Sequence, residues 1–259
     1  MSERAVEISG VGKTFGEGTP DAVHALVDVD LEVAAGEFVS LIGPSGCGKS
    51  TLLRLVGDLL EPSTGSVRVF GKPAAEARLA RDYGMAFQSA GLFDWRKVAA
   101  NIELPLELMG WSKEDRRIRA NEMLSLVKLD EFGNHYPRQL SGGMQQRIAI
   151  ARALSFKPRL LLMDEPFGAL DEMTREHMQG ELISIKAELD TTVIFVTHSI
   201  AEAAFLSDRV VVLSARPGQI HQIVDVNLGV RNEETREDPE FFKKATEIRE
   251  SLRSVEERA

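Results

Sequence analysis

Five mostly apolar residues, Phe38-Val39-Ser40-Leu41-Ile42, run straight into Gly43-Pro44-Ser45-Gly46-Cys47-Gly48-Lys49-Ser50-Thr51. The second stretch fits G-x-x-x-x-G-K-[ST], a loop whose glycines let successive backbone N–H groups point inward at one anion. The helix that follows aims the positive end of its dipole at the same place. Lys49 can reach the β- and γ-phosphates of a nucleotide, and the Ser50 hydroxyl can ligate Mg²⁺. A plain glycine turn between strand and helix is the alternative, and the buried strand in front argues against it. Cys47 needs no redox role in a slot that tolerates many residues. This reading predicts an α/β protein with a P-loop core that binds ATP through residues 43–51.

The second constraint is Arg159-Leu160-Leu161-Leu162-Met163-Asp164-Glu165. An apolar strand ending in two carboxylates puts them at the strand's carboxyl end, where ligands bind in open α/β sheets. Asp164 would hold Mg²⁺ through its water shell, and Glu165 would be the general base for the attacking water. A surface Asp-Glu at a strand end is common in isolation. Following a P-loop in this order, the pair reads as nucleotide machinery.

Between these landmarks the pattern changes. Residues 4–8 alternate, and residues 25–33 alternate apolar with acidic side chains as a strand wet on one face does. These predict an N-terminal antiparallel β subdomain. From about 94 to 156 helical spacing replaces strands, with Ile118, Met123, Leu124, Val127 and Leu129 mostly on one face. That stretch predicts an inserted α-helical subdomain. The core resumes with strands at 159–163, 192–196 and 209–213 and helices at 173–189 and after His198, an alternation that implies parallel pairing. The ATPase domain is expected to span 4–228. A charged linker (229–238) then leads to an amphipathic helix with Phe241, Ala245, Ile248, Leu252 and Val255. It either packs on its own domain or binds a partner.

Composition removes several classes. With 31 basic against 40 acidic residues and a net charge of −9, the chain lacks the basic surface that duplex nucleic acid selects. The basic cluster Arg116, Arg117, Arg119 lies among Lys113, Glu114 and Asp115, a solvated mixed-sign face. One cysteine permits neither an internal disulfide nor a multi-cysteine metal site. The opening MSERAVEISG lacks a signal-peptide core, and no apolar run approaches the ~18 residues of a membrane span. The expectation is a soluble, cytosolic protein whose membrane role, if any, comes from a partner.

One further motif narrows the field. Leu140-Ser141-Gly142-Gly143-Met144-Gln145-Gln146-Arg147 resembles the signature of ABC ATPases and stands shortly before the Asp164-Glu165 strand, as it does there. Ser141 and two glycines at a helix start make a second anion site. Met144 replaces the family's usual Gln, a change that importer relatives share. The resemblance covers residues 4 to about 220. It implies that two subunits pair head to tail, so that Ser141, Gly142 and Gly143 of one close on the γ-phosphate held by the other. It implies further that Phe15 stacks on adenine and that Gln88 touches Mg²⁺ and senses the membrane partner. By the same resemblance Asp171, in Ala169-Leu170-Asp171, crosses the dimer interface, and His198 contacts the γ-phosphate. His24, His135, His177 and His221 match nothing.

Finer features point to one branch. Gly91-Leu92-Phe93-Asp94-Trp95-Arg96-Lys97-Val98 is similar to a segment of the importers for nitrate, sulfonates, taurine and pyrimidine-type precursors, with Asp94 where relatives often have Pro. Ser214-Ala215-Arg216-Pro217-Gly218-Gln219-Ile220 and Asp238-Pro239-Glu240-Phe241 are typical of that branch too. Trp95 is either ordinary packing or part of the groove for a membrane subunit's helix. The resemblance implies a homodimeric ATPase subunit with ATP and Mg²⁺ as cofactors. It would sit on the cytoplasmic face of the inner membrane, bound to permease subunits and served indirectly by a solute-binding protein. A soluble ABC ATPase, for example of the iron–sulfur-assembly type, is one rival; the importer-like segment around Trp95 argues against it. A regulatory module that binds ATP without turnover is the other, and the presence of Glu165 argues against that.

Overall fold

The computed structural model describes residues 3–257. It opens with two long antiparallel strands, β1 (Arg4–Phe15) and β2 (Val23–Ala34). Then come β3 (Phe38–Ile42), helix α1 (Lys49–Val56), β4 (Thr64–Val69), the short β5 (Lys72–Pro73), α2 (Ala74–Ala80) and β6 (Tyr83–Ala86). Three helices follow without an intervening strand: α3 (Val98–Leu108), α4 (Lys113–Leu126) and α5 (Gly142–Leu154). The remainder alternates as β7 (Leu160–Asp164), α6 (Glu172–Leu189), β8 (Thr192–Val196), α7 (Ile200–Leu206), β9 (Arg209–Leu213), β10 (Ile220–Asp225) and α8 (Pro239–Glu256).

Two sheets result. The smaller is antiparallel in the order β2-β1-β4-β5, and the larger runs β10-β9-β3-β8-β7-β6. In the larger sheet β9, β3, β8, β7 and β6 are parallel, while β10 pairs antiparallel with β9 at the edge. Every residue of β3, β7 and β8 is buried. The side-chain period of two then sorts those residues into two apolar cores. Val39, Leu41, Leu160, Leu162, Ile194 and Val196 join β1, β2 and α1 on one face. Phe38, Ile42, Leu161, Met163, Val193 and Phe195 join α3–α5, α7 and α8 on the other. Phe195 is the hub of that second core, with ring centroids 5.8 Å from Phe38 and 5.5 Å from Phe167. Each such fully buried side chain contributes about 1.5–3 kcal/mol of transfer free energy.

A partly buried ion pair ties the layers together. The Arg209 guanidinium of β9 donates to both carboxylate oxygens of Glu37, in the turn between β2 and β3, and to the Glu32 carbonyl. The Glu37 hydrogen bonds hold Arg209 above the usual arginine range, against its own desolvation. Helix α8 packs on its own domain: Phe241, Ala245, Ile248 and Val255 are buried in the core that holds α7 and β9. His221 on β10 hydrogen-bonds Ser254 of α8 at 2.9 Å.

The structure departs from expectation in places. Ile118 is not on a buried face; it is 49% exposed on α4, whose buried residues are Ala120, Met123 and Leu124. The charged 229–238 stretch contains a 3₁₀ turn at Glu233–Glu237, capped by the Asn232 side chain accepting from the Thr235 N–H. Strands β4 and β10 and helix α2 were not foreseen. No helix among the described residues is long and apolar enough to cross a membrane.

Candidate nucleotide site

The site grows from the carboxyl end of β3. Gly48 takes φ +103°, and a Cβ there would lie 2.7 Å from Leu26 Cδ2 and 3.0 Å from the Ala25 carbonyl. Only glycine fits both the angle and the space. The loop therefore closes against β2, and α1 starts at Lys49. Lys49 is 5% exposed, and its ammonium donates to the carbonyls of Gly43 at 2.8 Å and Pro44 at 2.9 Å, with Cys47 Sγ at 3.7 Å. No carboxylate among the described residues pairs with it. A buried cation held by neutral acceptors alone keeps most of its charge uncompensated, so a phosphate chain in the loop is its natural partner.

Beside it, Ser50 Oγ donates to Asp164 Oδ1 at 2.8 Å. Asp164 is the last residue of β7 and is 3% exposed. The chain then leaves the strand abruptly, with Glu165 in the left-handed region at φ +49°. A non-glycine residue there costs free energy that the surroundings must offset. The Glu165 N–H is held by the Val196 carbonyl at 2.9 Å, and the turn swings the carboxylate out of the sheet. Its two oxygens meet His198 Nε2 at 2.5 Å and Gln88 Nε2 at 3.1 Å.

Both partners are positioned from behind. The Phe87 carbonyl accepts from Gln146 of α5 at 2.8 Å, which anchors the loop carrying Gln88. The Thr197 hydroxyl accepts from the Ser199 N–H at 3.0 Å and donates to the buried Glu202 carboxylate. Burial pushes the Glu202 carboxyl up, and Thr197, Arg175 and Gln179 pull against that. Arg175 also donates to the Leu170 carbonyl at 2.9 Å, so one polar cluster spans the loops on both sides of the site.

A cavity of about 360 Å³ gathers these groups. Phe15, at the end of β1, lies at its mouth with Val23, Ala25 and Arg216, and Ser45, Gly46, Gly48, Lys49, Ser50 and Thr51 form its floor. Gln88, Glu165 and His198 form the far wall. Gly43, Pro44, Cys47 and Asp164 stand behind that lining, with Cys47 buried inside the loop. Ser141, Gly142, Gly143 and Asp171 do not line it. Ser141 caps α5, accepting from the Met144 N–H at 3.3 Å, and both Ser141 and Gly142 are exposed. Asp171 caps α6; the backbone N–H of Thr174, 3.0 Å away, holds its carboxyl below the usual range. Gly143 packs beside the Ala169 carbonyl, so the signature and the 169–171 loop form one exposed patch apart from the cavity.

Val23, Ala25 and Arg216 were missed as site residues. Arg216 sits in a segment that resemblance marks only for kinship, and nothing local in Val23 or Ala25 signals a ligand.

Residues 26–168 match the ABC transporter family. Among similar proteins, the taurine import ATP-binding protein TauB of Yersinia pestis is 43% identical over 249 residues, covering 94% of this chain and 95% of the relative. The nitrate import ATP-binding protein NrtD of Synechocystis is 43% identical over 259 residues, 97% of this chain and 96% of its own. Among solved structures, a dimeric post-hydrolysis state of the ATP-binding cassette MJ0796 bound to ADP and Pi superposes with TM-score 0.80 at 37% identity. That match covers 87% of this chain and all of the other. The chain therefore belongs to the ABC transporter family, as one of its ATP-binding cassette ATPases.

Proposed function

We propose that the protein hydrolyses ATP as the cytoplasmic, peripheral subunit of an importer, with two copies bound to separate membrane permease subunits. The observation that carries the hydrolytic part is Glu165, held between Gln88 and His198 on the wall of a cavity whose floor is the phosphate loop. Phe15 would stack on the base, while Lys49 and the backbone N–H groups of residues 45–51 would hold the phosphates. Glu165 would take the proton of the attacking water or orient it, and His198 would meet the γ-phosphate. In the structure both Glu165 oxygens are occupied. A γ-phosphate that draws His198 away would free one oxygen for water, which makes activation of the base follow nucleotide binding.

The donor set suits Mg²⁺. One hydroxyl and one nearly buried carboxylate lie 2.8 Å apart with an amide nearby, and no group of three or more His, Cys, Asp or Glu among the described residues is placed to cage a metal. That is what an ion retaining water and phosphate ligands needs. Ser50, Asp164 and Gln88 would hold it, and it would neutralise charge developing on the phosphate oxygens.

Ser141, Gly142, Gly143 and Asp171 are assigned to the nucleotide of the opposite copy. The exposure of Ser141, Gly142 and Asp171, away from the cavity of their own chain, supports this. The 88–98 segment is assigned to the permease: Trp95 is 75% exposed and its ring is braced at 4.8 Å by Phe93. The solute, delivered by an external binding protein, is assigned to the class that includes those named for the relatives, taurine and nitrate.

Co-expression with a candidate permease of the same importer class tests the transport reading. The chain should copurify with that permease from detergent extracts, and its ATP turnover should rise when solute-loaded binding protein is added. Recovery of the chain alone, with turnover indifferent to permease and binding protein, would favour the soluble ABC ATPase.

A further inference from the structure

We propose that the Arg216 guanidinium is a nucleotide-binding group that reaches the phosphate chain of bound ATP or ADP from the outer rim of the phosphate loop. The proposal rests on the ATP-binding reading of the cavity and adds to it a residue from the far end of the chain.

Arg216 lies in the connection between β9 and β10, and that connection is built rather than slack. The Ser214 hydroxyl accepts from the Gln219 N–H at 2.9 Å and faces the Pro217 carbonyl at 3.1 Å. The Ser214 N–H donates to the Gln219 carbonyl at 2.9 Å, so both ends of the turn are pinned through one residue. The turn then docks on β2: Gly218 N–H donates to the Ala25 carbonyl at 2.9 Å, and Val27 N–H donates to the Gly218 carbonyl at 3.1 Å. A Cβ on Gly218 would fall 2.0 Å from the Cys47 carbonyl, so the turn presses on the phosphate loop as closely as a backbone can. Its position relative to the loop is set by hydrogen bonds and contact at several points.

The docking delivers one side chain to the cavity. Arg216 lines the same cavity as Phe15 and as Ser45, Gly46 and Lys49 of the phosphate loop. Its only hydrogen bonds among the described residues are two to a single acceptor, the Gly46 carbonyl, from Nε at 3.3 Å and Nη2 at 3.2 Å. Both are at the long end for such bonds. A guanidinium carries five donors in a fixed fork, and no carboxylate among the described residues neutralises this one. On a convex surface an unpaired arginine is simply solvated. Here it stands on the concave wall of a cavity floored by a phosphate-binding loop, and its planar fork suits phosphate oxygens. Lys49 would then act on the phosphates from within the loop and Arg216 from its rim.

Two other roles fit the location: tethering the loop through Gly46, or stacking with Phe15 on the base. Equilibrium binding of ADP and GDP in Mg²⁺ buffer separates them, since neither is hydrolysed. Arg216→Ala and Arg216→Gln should each weaken both nucleotides by about tenfold, the size of one charge-assisted hydrogen bond. Arg216→Lys, which keeps the charge and loses the fork, should recover part of the loss. Melting temperatures without nucleotide should stay close to the parent value, since the Gly46 carbonyl that Arg216 meets belongs to an exposed residue that water can serve. ADP affinity like the parent in Arg216→Gln would mean that a neutral tether suffices, and would overturn the proposal. So would an unchanged Arg216→Ala, or a loss seen with ADP and not GDP. An intact parent that binds neither nucleotide would overturn the ATP reading itself.

Discussion

Glu165→Gln is expected to lower the turnover number for ATP by about 100- to 10,000-fold, the range spanned by general-base catalysis. ATP affinity should stay close to the parent's. The amide is isosteric, and one of its atoms can still accept from Gln88 while the other faces His198, so the far wall of the cavity keeps its shape. What disappears is the basic lone pair that would receive a proton from water. Single-turnover phosphate release, read beside equilibrium ATP binding, separates the two quantities. Turnover equal to the parent's would place the base elsewhere. Loss of ATP binding would mean that the carboxylate holds the loop together rather than acting on water.

Lys49→Ala acts one step earlier, on binding. Its ammonium is the one charge buried in the floor of the cavity, and only neutral acceptors, the Gly43 and Pro44 carbonyls and Cys47 Sγ, meet it there. Losing charge-assisted bonds to phosphate should cost about 3 kcal/mol, or about a hundredfold in ATP affinity. The substitution also leaves the Gly43 and Pro44 carbonyls without their donor, so the variant should melt a few degrees below the parent without ligand. The decisive comparison is therefore the shift caused by nucleotide. At ATP about a hundredfold above its dissociation constant, the parent gains about 2.7 kcal/mol of stability. The same ATP concentration only equals the dissociation constant of Lys49→Ala, so it should stabilise that variant by about 0.4 kcal/mol and give a far smaller melting shift. An equal shift in both proteins would remove Lys49 from the phosphate site.

The central strands were legible because burial on both faces leaves a near-continuous apolar run with sharp ends. Strands β8 and β9 fall on residues 192–196 and 209–213 as the pattern indicates. Strand β10 escaped because it is an edge strand, Ile220-His221-Gln222-Ile223-Val224-Asp225, with Val224 its one fully buried side chain. Strand β4 starts Thr64-Gly65-Ser66, all exposed, and only Val67 and Val69 are buried. Ile118 misled because helical spacing fixes which residues share a face and says nothing about whether a neighbour covers it.

The site divides the same way. Lys49, Ser50, Asp164 and Glu165 each carry their chemistry in a local pattern, a glycine loop or a strand end, and the fold brings them together. Gln88 and His198 have no such pattern; the resemblance assigns them to Mg²⁺ and to the γ-phosphate, and their contact with the Glu165 carboxylate is visible only in the structure. Arg216 reaches the cavity only because Gly218 lets one turn press on another, a contact written into no spacing along the chain.

On the proposed reading a single copy lacks the other half of the site. Ser141 and Gly142 are exposed, and with Gly143 and Asp171 they stand apart from the cavity that would need them. A site completed by a second chain requires that ATP bring two copies together when hydrolysis is blocked. Light scattering of Glu165→Gln with saturating ATP and Mg²⁺ measures this directly. The account predicts twice the monomer mass with ATP and the monomer mass without it. A protein that stays monomeric with ATP demonstrably bound would contradict the claim that each site is completed by a second chain.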